Sequence, residues 1–221
     1  MTRLAAATAK RVTADWADVF PDFDVWKPLR LLRRIGPVIQ GITLDRSTSG
    51  NEYFPTVHVH ALTRDFPVVS LTLGQRLLGA SGVQEGVSFA GHDADFASAA
   101  QRLESQSNLP LRAWPSIEEI VDAYRAFATV QQGKGHPPAV SEVEDSVLIP
   151  AADGSRDSVI ASLRLARELV GVWPKSRLPL DWKGAEGWLE GLVKRSQDLA
   201  GLSATVDGQI ALHKLSRIRY E

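Results

Sequence analysis

The fold of this chain is decided by residues 33–64, which read RRIGPVIQGITLDRSTSGNEYFPTVHVHALTR. Two runs rich in β-branched and aromatic residues, 35–45 and 53–62, flank a polar cluster of Ser, Thr, Gly and Asn. Strand-forming runs with turn residues between them are typical of a β-hairpin. The stretch therefore predicts a long hairpin over about residues 35–62.

Both faces of the predicted hairpin carry apolar side chains, so we expect it to be covered on both sides and to lie at the centre of the sheet. A turn centred near Ser49 would place Gln40 opposite His58. Because side chains alternate along a strand, Gln40 would then share one face with Thr56, His58 and His60.

The segments around the hairpin predict further strands and several helices. Further strands are expected at 68–73 and 83–89, with an edge strand at 143–149, and segment 20–34 is read as a short helix or an irregular lead-in. Helical periodicity and capping residues predict helices over 3–19, from Asp93, from Ser116, from Ser155, over 182–199 and over 210–218. The predicted fold is α+β: an antiparallel sheet of three to five strands packed by five or six helices.

The helix that begins at Ser116 carries the clearest start signal in the chain. Glu119 follows Ser116 by three residues, which is the spacing of a capping box. The Gly- and Pro-containing segment 131–138 then predicts a linker. We expect an α+β core over residues 1–132 and a mainly helical part over 139–221 that packs on the core as one compact unit.

The composition excludes several classes of protein. The chain has 221 residues, 44% of them hydrophobic, and no cysteine, so disulfides, thiolate metal sites and cysteine nucleophiles are ruled out. Its formal net charge is −1, which argues against nucleic acid as a partner. No stretch approaches the roughly 18 consecutive apolar residues of a membrane-spanning helix. A cytoplasmic protein of bacterial type is the expectation.

His58 and His60 form the most distinctive polar feature. Alternate residues of a strand project to the same side roughly 6–7 Å apart, a spacing that suits one metal or one ligand. The favoured explanation is that they are buried or pocket histidines hydrogen-bonded to Gln40, Thr56 and main-chain groups. His92, Asp93 and Asp95 could complete a metal site with them, or could be a loop histidine followed by helix-capping aspartates.

A second candidate feature is a run of positive charge. Lys27, Arg30, Arg33 and Arg34 place four cations in eight residues, which could meet phosphate or an acidic protein surface. Nearby aspartates could instead neutralise them. The candidate binding residues are thus Gln40, His58, His60, Arg30, Arg33 and Arg34.

Three glycines fall within one narrow stripe of the helix predicted over 182–199. Each of Gly184, Gly187 and Gly191 costs about 1 kcal/mol relative to alanine inside a helix, so close approach of another backbone is the simplest explanation. A homodimer formed through this helix is one form of that expectation.

Two functions remain open on the sequence. No phosphate-binding loop, dinucleotide fingerprint or nucleophile elbow is present, and no catalytic residue, metal or cofactor is assigned. The favoured hypothesis is a non-catalytic binding or accessory protein, for instance an immunity or defence-associated module that binds another protein. The alternative is a small hydrolase or ligand-binding protein that uses His58 and His60 in a pocket, with a metal held by His and carboxylate groups as one variant.

Overall fold

The computed structural model describes residues 6–178, 182 and 184–221. The strands are β1 (Asp24–Lys27), β2 (Arg30–Ile35), β3 (Val38–Arg46), β4 (Glu52–Ala61), β5 (Thr72–Arg76) and β6 (Val87–Ser88). The helices are α1 (Ala6–Val19), α2 (His92–Gln106), α3 (Ile117–Gly133), α4 (Val140–Asp153), α5 (Arg156–Val172), α6 (Ala185–Gln197) and α7 (Leu199–Leu212), with a 3-10 turn at Lys175–Arg177. This arrangement confirms the α+β class, with more strands and helices than the sequence predicted.

The sheet is antiparallel, and its strand order is β1-β2-β3-β4-β5, with β6 paired to β4. The predicted hairpin is the β3–β4 pair, which occupies the centre of the sheet as expected. Its main-chain groups are therefore paired on both sides, by β2 next to β3 and by β5 and β6 next to β4.

The register of the central hairpin differs from the prediction by one residue. Gln40 lies opposite Val59, and His58 lies opposite Gly41. The Ser47 amide donates to the Glu52 carbonyl at 2.9 Å, so the turn is centred after Ser49 rather than on it. A shift of one residue moves every side chain of a strand to the other face. His58 and His60 consequently lie on the face opposite Gln40.

The segment 20–34 is neither a helix nor an irregular lead-in. It forms the β1–β2 hairpin, whose tight turn holds Leu29 at a φ of 65°. Leu31 and Leu32 are both buried, one on each face of β2. Because β2 is covered on both sides, it lacks the alternation of apolar and polar residues that would have identified it.

The two faces of the sheet are covered by different parts of the chain. On one face, Leu31, Ile42 and Val57 belong to the cluster that contains the buried side chains of α1 and α2, while Val38 and Val59 pack with α3. The other face is covered from the C-terminal part, by a cluster of Leu32, Ile39 and Leu62 with Val206, Ile210, Leu215 and Ile218.

Residues 219–221 also extend the sheet, next to β2. The Arg34 amide donates to the Arg219 carbonyl at 2.9 Å, and Tyr220 bridges to Arg34 in parallel orientation.

Several predicted elements are placed differently by the structure. The edge strand expected at 143–149 lies inside α4, which ends at Asp153 and is capped by Gly154 with a φ of 85°. The buried residues of this segment show no helical periodicity because α4 packs against α3, α5, α6 and α7 and is buried on most sides. The strand expected at 68–73 begins only at Thr72, and β6 occupies two residues of the segment 83–89. The helix expected over 210–218 begins earlier, at Leu199, and ends at Leu212.

The capping box at the start of α3 is present as predicted, with Ser116 and Glu119 bonded reciprocally. The expected helix over 3–19 corresponds to α1, and residues 3–5 of that prediction lie outside the described residues. None of the described helices has the length and apolar composition needed to cross a membrane.

Candidate functional site

His58 and His60 are enclosed between the sheet and the C-terminal segment that covers it. Their exposed fractions are 3% and 2%. His58 Nε2 lies 3.1 Å from Thr43 Oγ1, and His60 Nδ1 accepts a hydrogen bond from the Ser70 amide at 3.1 Å. The structure therefore places both imidazoles in the interior rather than in an open pocket, and it does not bring Gln40 to them.

The electrostatics of the two rings follow from this burial. Burial, followed by the neighbouring His60 and Arg30, lowers the pKa of His58 to about 3. Burial, followed by His213 and Arg64, lowers the pKa of His60 to about 4. Both rings are therefore neutral at neutral pH. Among the described residues, His58 Nδ1 and His60 Nε2 have no hydrogen-bond partner.

A third histidine joins this cluster from the far end of the chain. The ring of His213 lies 5.5 Å from that of His60, edge to face. His213 Nε2 lies 3.1 Å from both the Phe66 carbonyl and Gln209 Oε1. Sequence reasoning missed His213 because no local pattern links it to a strand about 150 residues earlier. We describe the three rings as a structural cluster.

His92 lies elsewhere, in a separate hydrogen-bonded chain. Its Nε2 is 2.9 Å from Asp15 Oδ2, its Nδ1 is 2.7 Å from the Tyr53 hydroxyl, and Trp16 Nε1 donates to that hydroxyl at 3.1 Å. Asp15, His92 and Asp93 are the one group of three possible metal ligands found close together in the described part of the chain. Because both ring nitrogens of His92 already contact protein groups, the ring anchors α2 to α1 and β4.

The arginines of the predicted basic run are separated by the sheet. Arg33 is fully buried on the face of Gln40, where Nε and Nη2 donate to Gln40 Oε1 and Nη2 also donates to the carbonyls of Pro110 and Ala113. Burial lowers the pKa of Arg33 to about 10. Arg34 stacks on Tyr220 at 4.4 Å. Arg33 and Gln40 thus stabilise the α2–α3 connection, whereas Arg30 lines an open groove.

Arg30 lines a half-open groove of about 840 Å³, which we call the basic groove. It runs between the β1–β2 edge, the loop 67–71 and the end of α7. The described residues that line it include three cations and no carboxylate, and are Trp26, Lys27, Arg30, Pro67, Val68, Val69, Leu71, Leu212, His213 and Lys214. Positive potential is therefore concentrated here although the chain as a whole is nearly neutral.

The cations of the basic groove, Lys27, Arg30 and Lys214, form no ion pair with a carboxylate in the described part of the chain. Lys27 Nζ lies 3.7 Å from the centroid of the Trp26 ring, and Trp26 Nε1 donates to the His213 carbonyl at 3.0 Å. The Trp26 ring is thus held in place at the wall of the groove.

The basic groove also exposes large apolar side chains. Val68 is 58% exposed, Leu71 39% and Leu212 56%. Apolar surface rimmed by charge is typical of protein-binding sites.

A second half-open cavity, of about 680 Å³, lies on the opposite face of the sheet, and we call it the α3 cleft. Gln40, Val57 and Val59 border it from the sheet, Leu73 to Gln75 from β5, and Ser107 to Pro110 from the α2–α3 connection. His58 borders it between Val57 and Val59, but its ring lies toward Gly41 and Thr43 on the other face.

The glycine stripe predicted on one helix has a different geometry. Gly184 precedes α6 and has a φ of 101°, so it is not a helical residue. A Cβ added at Gly187 or Gly191 would meet no atom within 4 Å among the described residues. Close internal packing therefore does not explain these two glycines, and the homodimer stays a prediction.

Comparison of the chain with protein-family models, with curated proteins and with solved structures finds no match in any of the three. We therefore infer function from the two cavities and the residues that line them.

Proposed function

We propose that this protein is a non-catalytic binding protein that recognises an acidic, partly apolar segment of a partner protein through the basic groove. The observation that carries the proposal is the combination of Lys27, Arg30 and Lys214, unpaired among the described residues, with exposed Val68, Leu71 and Leu212. A carboxylate of the partner could pair with these cations without breaking an ion pair between described residues.

The residues of the basic groove are those that are common in binding hot spots, the few residues that contribute most of the binding energy of an interface. Trp and Arg dominate such hot spots when they lie in a pocket and are surrounded by contacts that exclude water. Here Trp26 is fixed by its bond to the His213 carbonyl, so little side-chain entropy is lost on binding. Lys27 and Lys214 lie at the rim, where charges mainly accelerate association and select the partner.

The alternative function, a hydrolase acting through His58 and His60, has weaker support. A general base or metal ligand must reach the substrate within hydrogen-bonding distance, directly or through one water. Both imidazoles are almost fully buried and are lowered in pKa by burial. These properties favour a structural role of the two histidines within the sheet over a catalytic role at its surface.

Selection from a random displayed-peptide library tests the proposal without assuming a partner. The library would be panned on the wild type and counter-selected on Lys27→Glu/Lys214→Glu. We expect enriched peptides that combine Asp or Glu with large apolar residues, that bind the variant at least about tenfold more weakly, and that lose affinity as salt is raised.

The matched control is Lys134→Glu/Lys194→Glu, which makes the same change in net charge at exposed positions outside the groove. This variant should bind the selected peptides like the wild type. Enrichment of neutral or basic peptides, or equal loss of binding in both double variants, would contradict the proposal.

A further inference from the structure

Helix α3 has one buried apolar face and, beside it, a second stripe that the fold covers only in part. Ile120, Val121, Tyr124 and Ala128 are buried against the sheet and the neighbouring helices. A second stripe with helical spacing borders the α3 cleft and consists of Glu119, Asp122, Ala123, Ala126, Phe127 and Val130. Val130 at its end is 49% exposed. An apolar stripe that the fold leaves partly open is available to a ligand.

The opposite wall of the cleft is shaped by an unusual backbone. Leu73 has a φ of 52°, and β5 carries an irregularity where it pairs with Val57 and Val59. At Gly74 an added Cβ would lie 2.6 Å from the Leu71 carbonyl oxygen, so this position requires glycine. The wall is therefore set by the main chain. The volume of the α3 cleft, about 680 Å³, falls within the usual range for small-molecule sites.

The charge of the α3 cleft is opposite to that of the basic groove. Glu119 and Asp122 line it, and no Lys or Arg is among the described lining residues. The main-chain amide and hydroxyl of Ser116 both donate to Glu119, which lowers the pKa of that carboxyl.

Arg125 does not reverse this charge. It donates to Asp122 at 2.7 Å, but its guanidinium also donates to Ser158 and Ser162 and is largely buried toward α5. The Asp122 side chain remains 64% exposed. One end of the cleft thus presents two carboxylates above an apolar floor.

We propose that the α3 cleft binds a small amphipathic amine. The apolar body of the ligand would lie on Val57, Val59 and Phe127, and its protonated amine would bind at Glu119 and Asp122. This site is separate from the basic groove and does not depend on the function proposed for it.

Two pairs of probes of matched shape and opposite charge test this site. Tryptamine is compared with indole-3-propionate, and phenethylamine with hydrocinnamate, by titration of amide resonances in the full-length protein. We expect saturable shifts that centre on Val57, Ala123 and Phe127, with the amines bound about tenfold or more tightly than the acids. Absence of saturable binding by both amines, or equal affinity for amine and acid, would overturn the proposal.

Two variants separate the charge of the site from its volume. Asp122→Asn should reduce the preference for the amine several-fold while the weaker binding of the acid persists or improves. Ala126→Trp, at an exposed position on the open stripe, should fill the cleft and abolish binding of all four probes. Both changes are at the surface, so the dispersed amide spectrum should be retained.

The control is Glu168→Gln, which removes one exposed carboxylate from α5, outside the cleft. It should leave the preference for the amine unchanged. A decrease equal to that of Asp122→Asn would show that the preference reflects overall charge and would contradict the site.

Discussion

Arg33 lies opposite Gln40 across the β2–β3 pair and donates to the same carboxamide oxygen twice, from Nε at 2.9 Å and from Nη2 at 2.7 Å. Gln40 Nε2 in turn donates to the Pro110 carbonyl at 3.1 Å, which Arg33 also contacts. The guanidinium is further covered by the rings of Phe23 and Trp114, at 4.4 and 4.8 Å. A buried cation is thus stabilised by neutral acceptors and aromatic faces, with no carboxylate bonded to it among the described residues.

This arrangement predicts strong coupling between Arg33 and Gln40. Gln40→Leu removes a hydrogen-bond acceptor from a buried charge and should lower the free energy of unfolding by about 2–3 kcal/mol. Arg33→Met should be similarly destabilising, and the double variant should lose about 1–3 kcal/mol less than the sum. Urea denaturation measures all three. Strict additivity would contradict the coupling, and Arg34→Met, at the partly exposed neighbour, should cost under about 1 kcal/mol.

The buried histidines predict a loss of stability in acid. The ordinary histidine pKa of 6.5 is lowered to about 3 for His58 and about 4 for His60 in the folded protein. The unfolded chain therefore binds protons below pH 6.5 that the folded chain does not accept until much lower pH. Stability is fully present above pH 6.5 and is lost as the pH falls toward 4, by up to about 1.4 kcal/mol per pH unit for each histidine.

His60→Gln isolates this effect, because its amide oxygen can still accept from Ser70. Burial raises the pKa of Asp145 to about 6, so this carboxyl increases the free energy of unfolding as the pH falls over the same range. The effect is the same in the wild type and in His60→Gln. The pH dependence of the wild type, measured by denaturation at a series of pH values, should therefore exceed that of His60→Gln by roughly one proton. Equal slopes would contradict the assignment.

Gly41 is required where it packs against His58. A Cβ at this position would lie 2.3 Å from His58 Nε2 and 2.8 Å from Leu32 Cδ2. We expect Gly41→Ala to lower the free energy of unfolding by about 1–3 kcal/mol through overpacking. In a His58→Ala background the same substitution should cost clearly less, and an unchanged cost would point away from this contact.

Substitution of Gly187 or Gly191 should have the opposite effect on stability, because an added Cβ at either position meets no atom within 4 Å among the described residues. Each Gly→Ala change is expected to raise the free energy of unfolding by about 0.5–1 kcal/mol, since alanine has less backbone entropy to lose in a helix. Light scattering should give the same mass for the wild type and the double variant. A wild-type dimer that dissociates on substitution would instead assign the stripe to an interface between copies.

The ion pair of Arg64 and Asp145 predicts how the helical half is held to the sheet. Arg64 Nε and Nη2 donate to the two carboxylate oxygens at 2.7 and 3.0 Å, and Asp145 is 1% exposed. Arg64→Met leaves a buried carboxylate without its partner and should cost about 3–5 kcal/mol. Calorimetry should show one cooperative transition in the wild type. Two separate transitions would contradict the prediction that residues 139–221 pack on the 1–132 core as one compact unit.

Local signals in the sequence predicted the elements that depend on few neighbours. The polar turn between two strand-forming runs identified the central hairpin, and Ser116 with Glu119 identified the start of α3. The register was missed because the residue types of the polar cluster do not fix where the turn closes, which is between Ser47 and Glu52. The prediction of a strand at 143–149 was wrong because α4 is surrounded by other helices, so its buried residues do not follow the helical period.

The sites were harder to predict because distant segments build them. Lys214 joins Lys27 and Arg30 only because the end of α7 covers the sheet. Arg33 and Arg30 looked equivalent in the sequence, yet the former is sealed in the core. The open stripe on α3 could have been found from the spacing of Asp122, Ala126 and Val130.

The coverage of the sheet by the C-terminal segment has a consequence for synthesis on the ribosome. Trp26 and its acceptor His213 are 187 residues apart, and Leu215 and Ile218 cover Leu32 and Ile39. At about 5–20 residues per second, on the order of 10–40 s pass between translation of the hairpin and translation of its cover. During that interval one apolar side of the nascent sheet faces water, and this side is where we expect a ribosome-associated chaperone to act.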